Sequence, residues 1–244
     1  MREPSAVPAR VILASASERR RELLGHLDVP FEVCVSYVDE SRYSAEPARL
    51  VVELAAAKAA AVLKRVVERS SSGEIGEPWV LGADTVVALP ELPGVAASTF
   101  GKPDGDDHAK EMLRALSGRL HLSHTGVALC RPGRPVRVEV ETTAVRFREL
   151  SDAVIDVYVA TGEPRGKAGA YSIQGDGAQL IDGIEGCYYN VVGLPLTLAG
   201  ELFAEVCGSG AVLCDCRAHP LQRGDPRCDA TDRDAGAAGS SNPS

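Results

Sequence analysis

The sequence predicts an α/β protein built on a mixed, twisted sheet with flanking helices, and two observations carry that prediction. Strand-like and helix-like segments alternate from residue 11 to about residue 206. Hairpin-like neighbours at 121–130 and 136–147 interrupt the alternation and favour a mixed sheet over a purely parallel one.

After a short flexible lead over 1–9, VILAS at 11–15 reads as a buried strand. Ser15 to Glu18 spells an S-x-x-E capping box, and the helix behind it sets Leu23, Leu24 and Leu27 on one face. FEVCVSYV at 31–38 is a second strand. The strongest helical pattern covers 47–67. Pro47 suits its first turn, and Leu50, Val51, Leu54, Lys58, Val62 and Arg65 recur at three- and four-residue steps. A polar loop at 70–77 precedes WVLGADTVVAL at 79–89. That β-branched run is interrupted by Gly82 and Asp84, as expected of a strand whose middle serves a site. A loop over 90–100 leads to a helix at 106–116, then to the two hairpin-like strands, then to a helix capped by Ser151 that ends at Ala160. AGAYSIQ at 168–174 and AQLIDGI at 178–184 read as strands, and Gly193-Leu194-Pro195 opens a last helix to about Val206. The domain thus spans 10–207. From 208 to 244 the composition shifts to Gly, Ala, Ser, Asp, Arg and Pro, which predicts a disordered tail with no core to bury.

A hydrophobic content of 45% and a charged content of 25% are those of an ordinary globular chain. The net charge of −8 speaks against a nucleic-acid partner, though a local cluster such as Arg19, Arg20 and Arg21 can still attract a small anion. No apolar run reaches the ~18 residues of a membrane span, so no membrane partner is expected. MREPSAVPAR offers no apolar run with a cleavage site, and the expected location is the cytoplasm. Of seven cysteines, Cys34, Cys130 and Cys187 lie in or beside apolar segments and read as free buried thiols.

Chemistry concentrates in a few segments. In LASASERRREL a strand feeds a serine-rich turn and a helix whose first turn carries three arginines. The positive end of a helix dipole disfavours cations, so arginines there make sense if a polyanion such as a triphosphate binds. The competing reading is a solvated basic face. Asp84 lies inside an apolar strand, where a carboxylate needs a partner or a metal, and Asp39 or Glu40 can supply a second acid. A satisfied structural aspartate is the alternative. Lys58 shares the apolar stripe of its helix and either points into a cleft or snorkels to the surface. Lys102 in GKP stands out because lysine is sparse, and Lys167, Ser172 and Gln174 sit in a glycine-rich stretch where a glutamine can read a base edge.

In order, LASASERRREL, FEVCVSYVDES, ELAAAKA, VLGADTVV, GKP, HTGVAL, GEPRGKAGAYSIQG and IEGCYYNVVGLPL resemble the Maf family of nucleotide pyrophosphatases over roughly 10–206. The resemblance implies a fold like that of the inosine triphosphate pyrophosphatases, two lobes around a cleft, and in many members a homodimer. It implies a divalent metal cation, Mg or Mn, held near Asp84 and Glu40. It makes Asp84 the catalytic proton acceptor and gives Ser15, Arg20, Lys58 and Lys102 to phosphate handling, with Lys167 beside them. Arg19, Thr85 and Gln174 match positions of base choice, in a combination that looks like the branch acting on dTTP and UTP. The family usually has an acid where Gly166 stands, and commonly one where Cys187 stands. The implied activity is hydrolysis of a nucleoside triphosphate, dTTP, UTP or a modified pyrimidine nucleotide, to monophosphate and pyrophosphate. Two alternatives stay open: a nucleotide-binding regulator of cell division or septum formation with weak or no catalysis, and the same chemistry on a purine nucleotide.

Overall fold

The computed structural model describes residues 11–27, 29–40, 43, 46–69, 78–90 and 98–207. The expected lead and tail, the loop at 70–77 and most of the loop at 90–100 lie outside the described residues. Strand β1 (Val11–Leu13) lies between β2 (Phe31–Val33) and β3 (Trp79–Leu89) and runs parallel to both. On its other side β3 pairs antiparallel with β5 (Leu120–Cys130), which pairs with β6 (Arg137–Phe147), which pairs with β7 (Ile181–Glu185). A short strand, β4 (Ser98–Phe100), pairs with the end of β3 on the same side as β1. The seven-stranded sheet is therefore mixed, as predicted.

One feature of this topology positions the site. β1 meets β3 only at Trp79–Leu81, and β4 meets it only at Val87–Leu89. Between them, among the described residues, 82–86 has no strand on that side, and a notch opens in the sheet edge where both faces can converge. Asp84 and Thr85 lie in its middle.

The two faces carry separate cores. Helix α2 (Pro47–Arg69) covers one face, packing Ala55, Ala59 and Val62 on Ile12, Val80 and Ala128. α1 (Glu18–Gly25), α3 (Asp106–Leu116), α4 (Asp152–Ala160), α5 (Tyr188–Val192) and α6 (Leu196–Cys207) cover the other, over Leu81, Ala83 and Val87. α2 sits unusually deep. A Cβ on Gly82 would fall 2.2 Å from the Ala55 carbonyl oxygen, and one on Gly126 2.2 Å from that of Val51. These glycines lie diagonally across the β3–β5 pair on one face, since Gly82 is opposite Ala128 and Gly126 opposite Asp84. Gly82, predicted as the mark of a site, is explained by this close approach of backbone to backbone.

Some boundaries differ from expectation. α1 is capped by Ser17, whose Oγ accepts from the Arg20 amide at 3.4 Å. Ser15 Oγ takes the Ser17 amide instead. β2 stops at Val33 rather than residue 38, because Arg65 on α2 claims the Val35 carbonyl at 2.5 Å and draws the chain off the sheet. The segment at 168–174 is a 3-10 turn (Ala168–Ala170) and a loop, not a strand. A second 3-10 turn (Gly175–Leu180) takes the first half of the other expected strand, and only Ile181–Glu185 joins the sheet. β4 and α5 were not expected.

Candidate active site

The α2 face of the notch holds an ion triad. Lys58 Nζ is 2.6 Å from Asp84 Oδ1 and 2.7 Å from Glu40 Oε1. The seat that Gly82 and Gly126 allow for α2 is what brings Lys58, in the middle of the helix, down to β3. The Lys58 and Asp84 side chains are only 13% and 15% exposed, while Glu40 is 59% exposed at the mouth. Arg65, two turns along α2, holds the segment that leads to Glu40 through Val35 and Cys34.

The α1 face is built from a guanidinium and neutral acceptors. Arg20 Nε donates to the Gly193 carbonyl at 2.9 Å and Nη2 to Thr85 Oγ1 at 2.9 Å, and Nη1 reaches Ser15 Oγ at 3.4 Å. Thr85 Oγ1 is 2.9 Å from Thr125 Oγ1, and Thr125 donates to the Asn190 carbonyl at 3.2 Å, so a polar chain ties α1 through the sheet to α5. Burial pulls the Arg20 guanidinium below its ordinary value; Asp84 and Glu40 oppose that pull and Arg19 adds to it. Arg20 is thus within electrostatic reach of both acids, but hydrogen-bonds to neither among the described residues.

A third cluster adjoins α1. Burial also lowers Arg19, against the pull of Tyr158, Glu163 and Glu22, and its buried Nε has no hydrogen-bond partner among the described residues. Lys167 is lowered by burial and then by Arg19, while its Nζ donates to the Glu163 carbonyl. Arg19 depresses Lys167 and keeps a donor to spare, so the two cations form a place an anion would relieve.

The predicted site residues fall into these groups. Ser15, Arg20, Glu40, Lys58, Asp84 and Thr85 meet at the notch, and Arg19 and Lys167 pair beside it. Lys102 is exposed; its neighbour Gly101 accepts from the Gly169 amide at 3.0 Å, which fastens the Lys102 loop to the turn after Lys167. Gln174 is exposed on the loop before the second 3-10 turn. Gly166 takes φ +70, with open space where its Cβ would be. Cys187 is 1% exposed, with its backbone bonded to Thr143, so a carboxylate in its place would be desolvated. Sequence reasoning missed the Gly193 carbonyl and Thr125. A carbonyl has no sequence signal, and Thr125 shows only as one threonine in HTGVAL.

Two carboxylates converging on one point, faced by buried guanidinium and ammonium groups, are the chemistry that binds a polyphosphate together with a hard cation. The family follows from comparison. A family model described as Maf-like protein matches residues 10–206, and this chain belongs to that family. It is 48% identical over 198 residues to the dTTP/UTP pyrophosphatase of Moorella thermoacetica, covering 80% of this chain and 94% of that one. It is 45% identical over 189 residues to the dTTP/UTP pyrophosphatase of Bacillus cereus (strain B4264), covering 77% and 90%. Among solved structures, the Staphylococcus aureus Ham1 protein matches with a TM-score of 0.41 at 14% identity, over 70% of this chain and 79% of that one. The fold described above rests on this chain's own sheet. No described helix is long and apolar enough to cross a membrane.

Proposed function

We propose that the protein hydrolyses pyrimidine nucleoside triphosphates, dTTP and UTP first, to the monophosphate and pyrophosphate. The observation that carries this reading is the meeting of Lys58, Asp84 and Glu40 with Arg20 across one notch, in a chain whose relatives carry the name dTTP/UTP pyrophosphatase.

Arg19, Arg20, Lys58, Lys102 and Lys167 neutralise the triphosphate and hold it in one register. Ser15 adds a hydroxyl donor, and Arg19, Thr85 and Gln174 discriminate the base. Asp84 and Glu40 would hold a divalent cation, Mg or Mn. Their oxygens suit such an ion, and since no third His, Cys, Asp or Glu joins them among the described residues, its other positions would fall to water and phosphate. When bound, that cation supplies charge neutralisation along the phosphates. Asp84 accepts the proton of the attacking water. The water oxygen bonds to the α-phosphorus, the bond to the αβ-bridging oxygen breaks, and pyrophosphate leaves. Fixed charges supply most of the rate in such a reaction.

The test is pyrophosphate release from a panel of eight (deoxy)nucleoside triphosphates with Mg²⁺. Turnover is expected to be highest on dTTP and UTP. Asp84→Asn, which keeps shape, should lose on the order of 10²–10⁴-fold in kcat, the range of a general base; near-normal turnover in that variant refutes the assignment. Purine nucleotides leading the panel would move the substrate and keep the chemistry. A chain that binds nucleotides and releases no pyrophosphate would return the regulatory reading, which the names of the relatives do not favour. A cytoplasmic location, a homodimer and the lack of nucleic-acid partners belong to the same reading, and sedimentation with and without added DNA or RNA tests the last two.

A further inference from the structure

The glycine-rich stretch around Gln174 is organised by a residue outside the predicted site. Glu163, in the turn after α4, turns its carboxylate toward the second 3-10 turn. Oε2 accepts from the Asp176 amide at 3.0 Å, and Oε1 accepts from the Gly177 amide at 3.2 Å and from the Tyr158 hydroxyl at 3.2 Å. Tyr158 in turn accepts from the Ser172 amide at 3.0 Å. An acidic side chain across the first amides of a helical turn satisfies donors that would otherwise lack partners.

The glycines record the same clamp. A Cβ on Gly175, which has φ +64, would lie 2.8 Å from Glu163 Oε2, and one on Gly177 2.7 Å from the Tyr158 hydroxyl. Gly175 is required by its positive φ and Gly177 first by the Ser172 carbonyl, 2.2 Å from its Cβ position, and the Glu163 carboxylate and Tyr158 phenol close the remaining space. Among the described residues, Gln174 is held through the turn that it precedes and through its own amide, which donates to Ser172 Oγ at 3.1 Å. From its other end Glu163 accepts Lys167 Nζ on its carbonyl, and its charge acts on Arg19. One residue thus joins Gln174, Lys167 and Arg19, three of the residues expected to touch the nucleotide.

We propose that Glu163 is a positioning residue that sets base preference, by holding the Gln174 loop against the Lys167 and Arg19 cluster. This rests on the nucleotide reading above, and the experiment keeps the two apart by measuring binding without turnover. Equilibrium binding of the α,β-methylene analogues of dTTP and dATP, with Mg²⁺, is compared in wild type, Glu163→Gln and Tyr158→Phe.

Gln keeps the volume of Glu but sets an NH₂ group against one of the two amides. The ratio of the two affinities should therefore narrow by about tenfold, the worth of one charge-assisted hydrogen bond, mainly through the thymidine analogue. Tyr158→Phe should narrow it less, and in the same direction. It carries the test if Glu163→Gln does not fold. A ratio that stays at its wild-type value in the folded variants overturns the proposal, even if both affinities fall together, because a merely structural role would weaken both alike. Equal binding of both analogues by wild type also overturns it. A ratio that moves in a protein releasing no pyrophosphate from any of the eight triphosphates would sink the pyrophosphatase reading and leave the role of Glu163 standing.

Discussion

The two faces of the β3 notch solve the burial of charge in opposite ways. On the α2 face, opposite charges meet directly, one ammonium between two carboxylates. On the α1 face the Arg20 guanidinium rests on a carbonyl and hydroxyls, and no acid bonds to it among the described residues. The first arrangement is balanced internally, with an excess of negative charge. The second is hydrogen-bonded but not neutralised, and Arg19 and Lys167 extend it. The notch is therefore a polarised slot, with acids on one wall and, on the other, cations that no carboxylate bonds directly among the described residues, the polarity that a cation-bound polyphosphate needs.

Three stability measurements break or sharpen that contrast. The largest effect is expected from Gly126→Ala. A Cβ 2.2 Å from the Val51 carbonyl must push α2 off the sheet, which should cost about 3 kcal/mol and lower Tm. Pyrophosphate release should fall with it, because Lys58 rides on α2. An unchanged Tm would show that α2 has slack and that Lys58 is not placed by its depth.

Next come the two walls. Lys58→Met leaves Asp84 and Glu40 facing each other and should cost roughly 1–2 kcal/mol, discounted because Glu40 is largely exposed. Added Mg²⁺ or Mn²⁺ should return more of that loss than it adds to wild type. Arg20→Ala strands Gly193, Thr85 and Ser15 and should cost about as much, with Mg²⁺ adding only about what it adds to wild type because Asp84, Glu40 and Lys58 are unchanged. Equal response of both variants to the cation in thermal melts would erase the asymmetry.

The smallest effect at neutral pH lies on the α1 side but away from the notch. His121 is fully buried against Phe147 and Tyr171, and burial lowers it from 6.5 to about 3. Between those values the unfolded chain binds a proton that the folded chain refuses, so stability is whole above pH 6.5 and falls as pH drops. The fall is up to about 1.4 kcal/mol per pH unit across that window. His121→Phe should flatten that limb of the denaturation profile, and an unaltered slope would assign it to other groups.

How much was legible from the sequence depends on how local each cause is. β3 announced itself because Gly82 and Asp84 break a β-branched run, and α2 because its stripe is long. The 168–174 segment was misread because Ala170, Tyr171, Ser172 and Ile173 are buried in succession, apolar content without the alternation of a strand. β4 is three exposed or half-exposed residues whose strand pairing among the described residues is with the end of β3, and α5 is five residues, too short for any period to show. In the site, charged residues were legible because a charge in an apolar setting demands a reason. Glu163 was not, since its partners are backbone amides thirteen and fourteen residues away, and a backbone amide leaves no mark in the sequence.

The middle of β3 is paired with β5 on one side and has no strand on the other among the described residues, which matters beyond the site. An open strand edge is where a second chain adds a strand, the first step of aggregation. Here the gap is stopped at both ends by β1 and β4, and its centre carries an acid locked to a lysine. An intruding strand would find too few free amides in line and a charge it could not solvate. The opening proposed to take a small ligand is thereby a poor edge for an incoming strand, so the same lysine and acid that shape the notch also oppose strand addition.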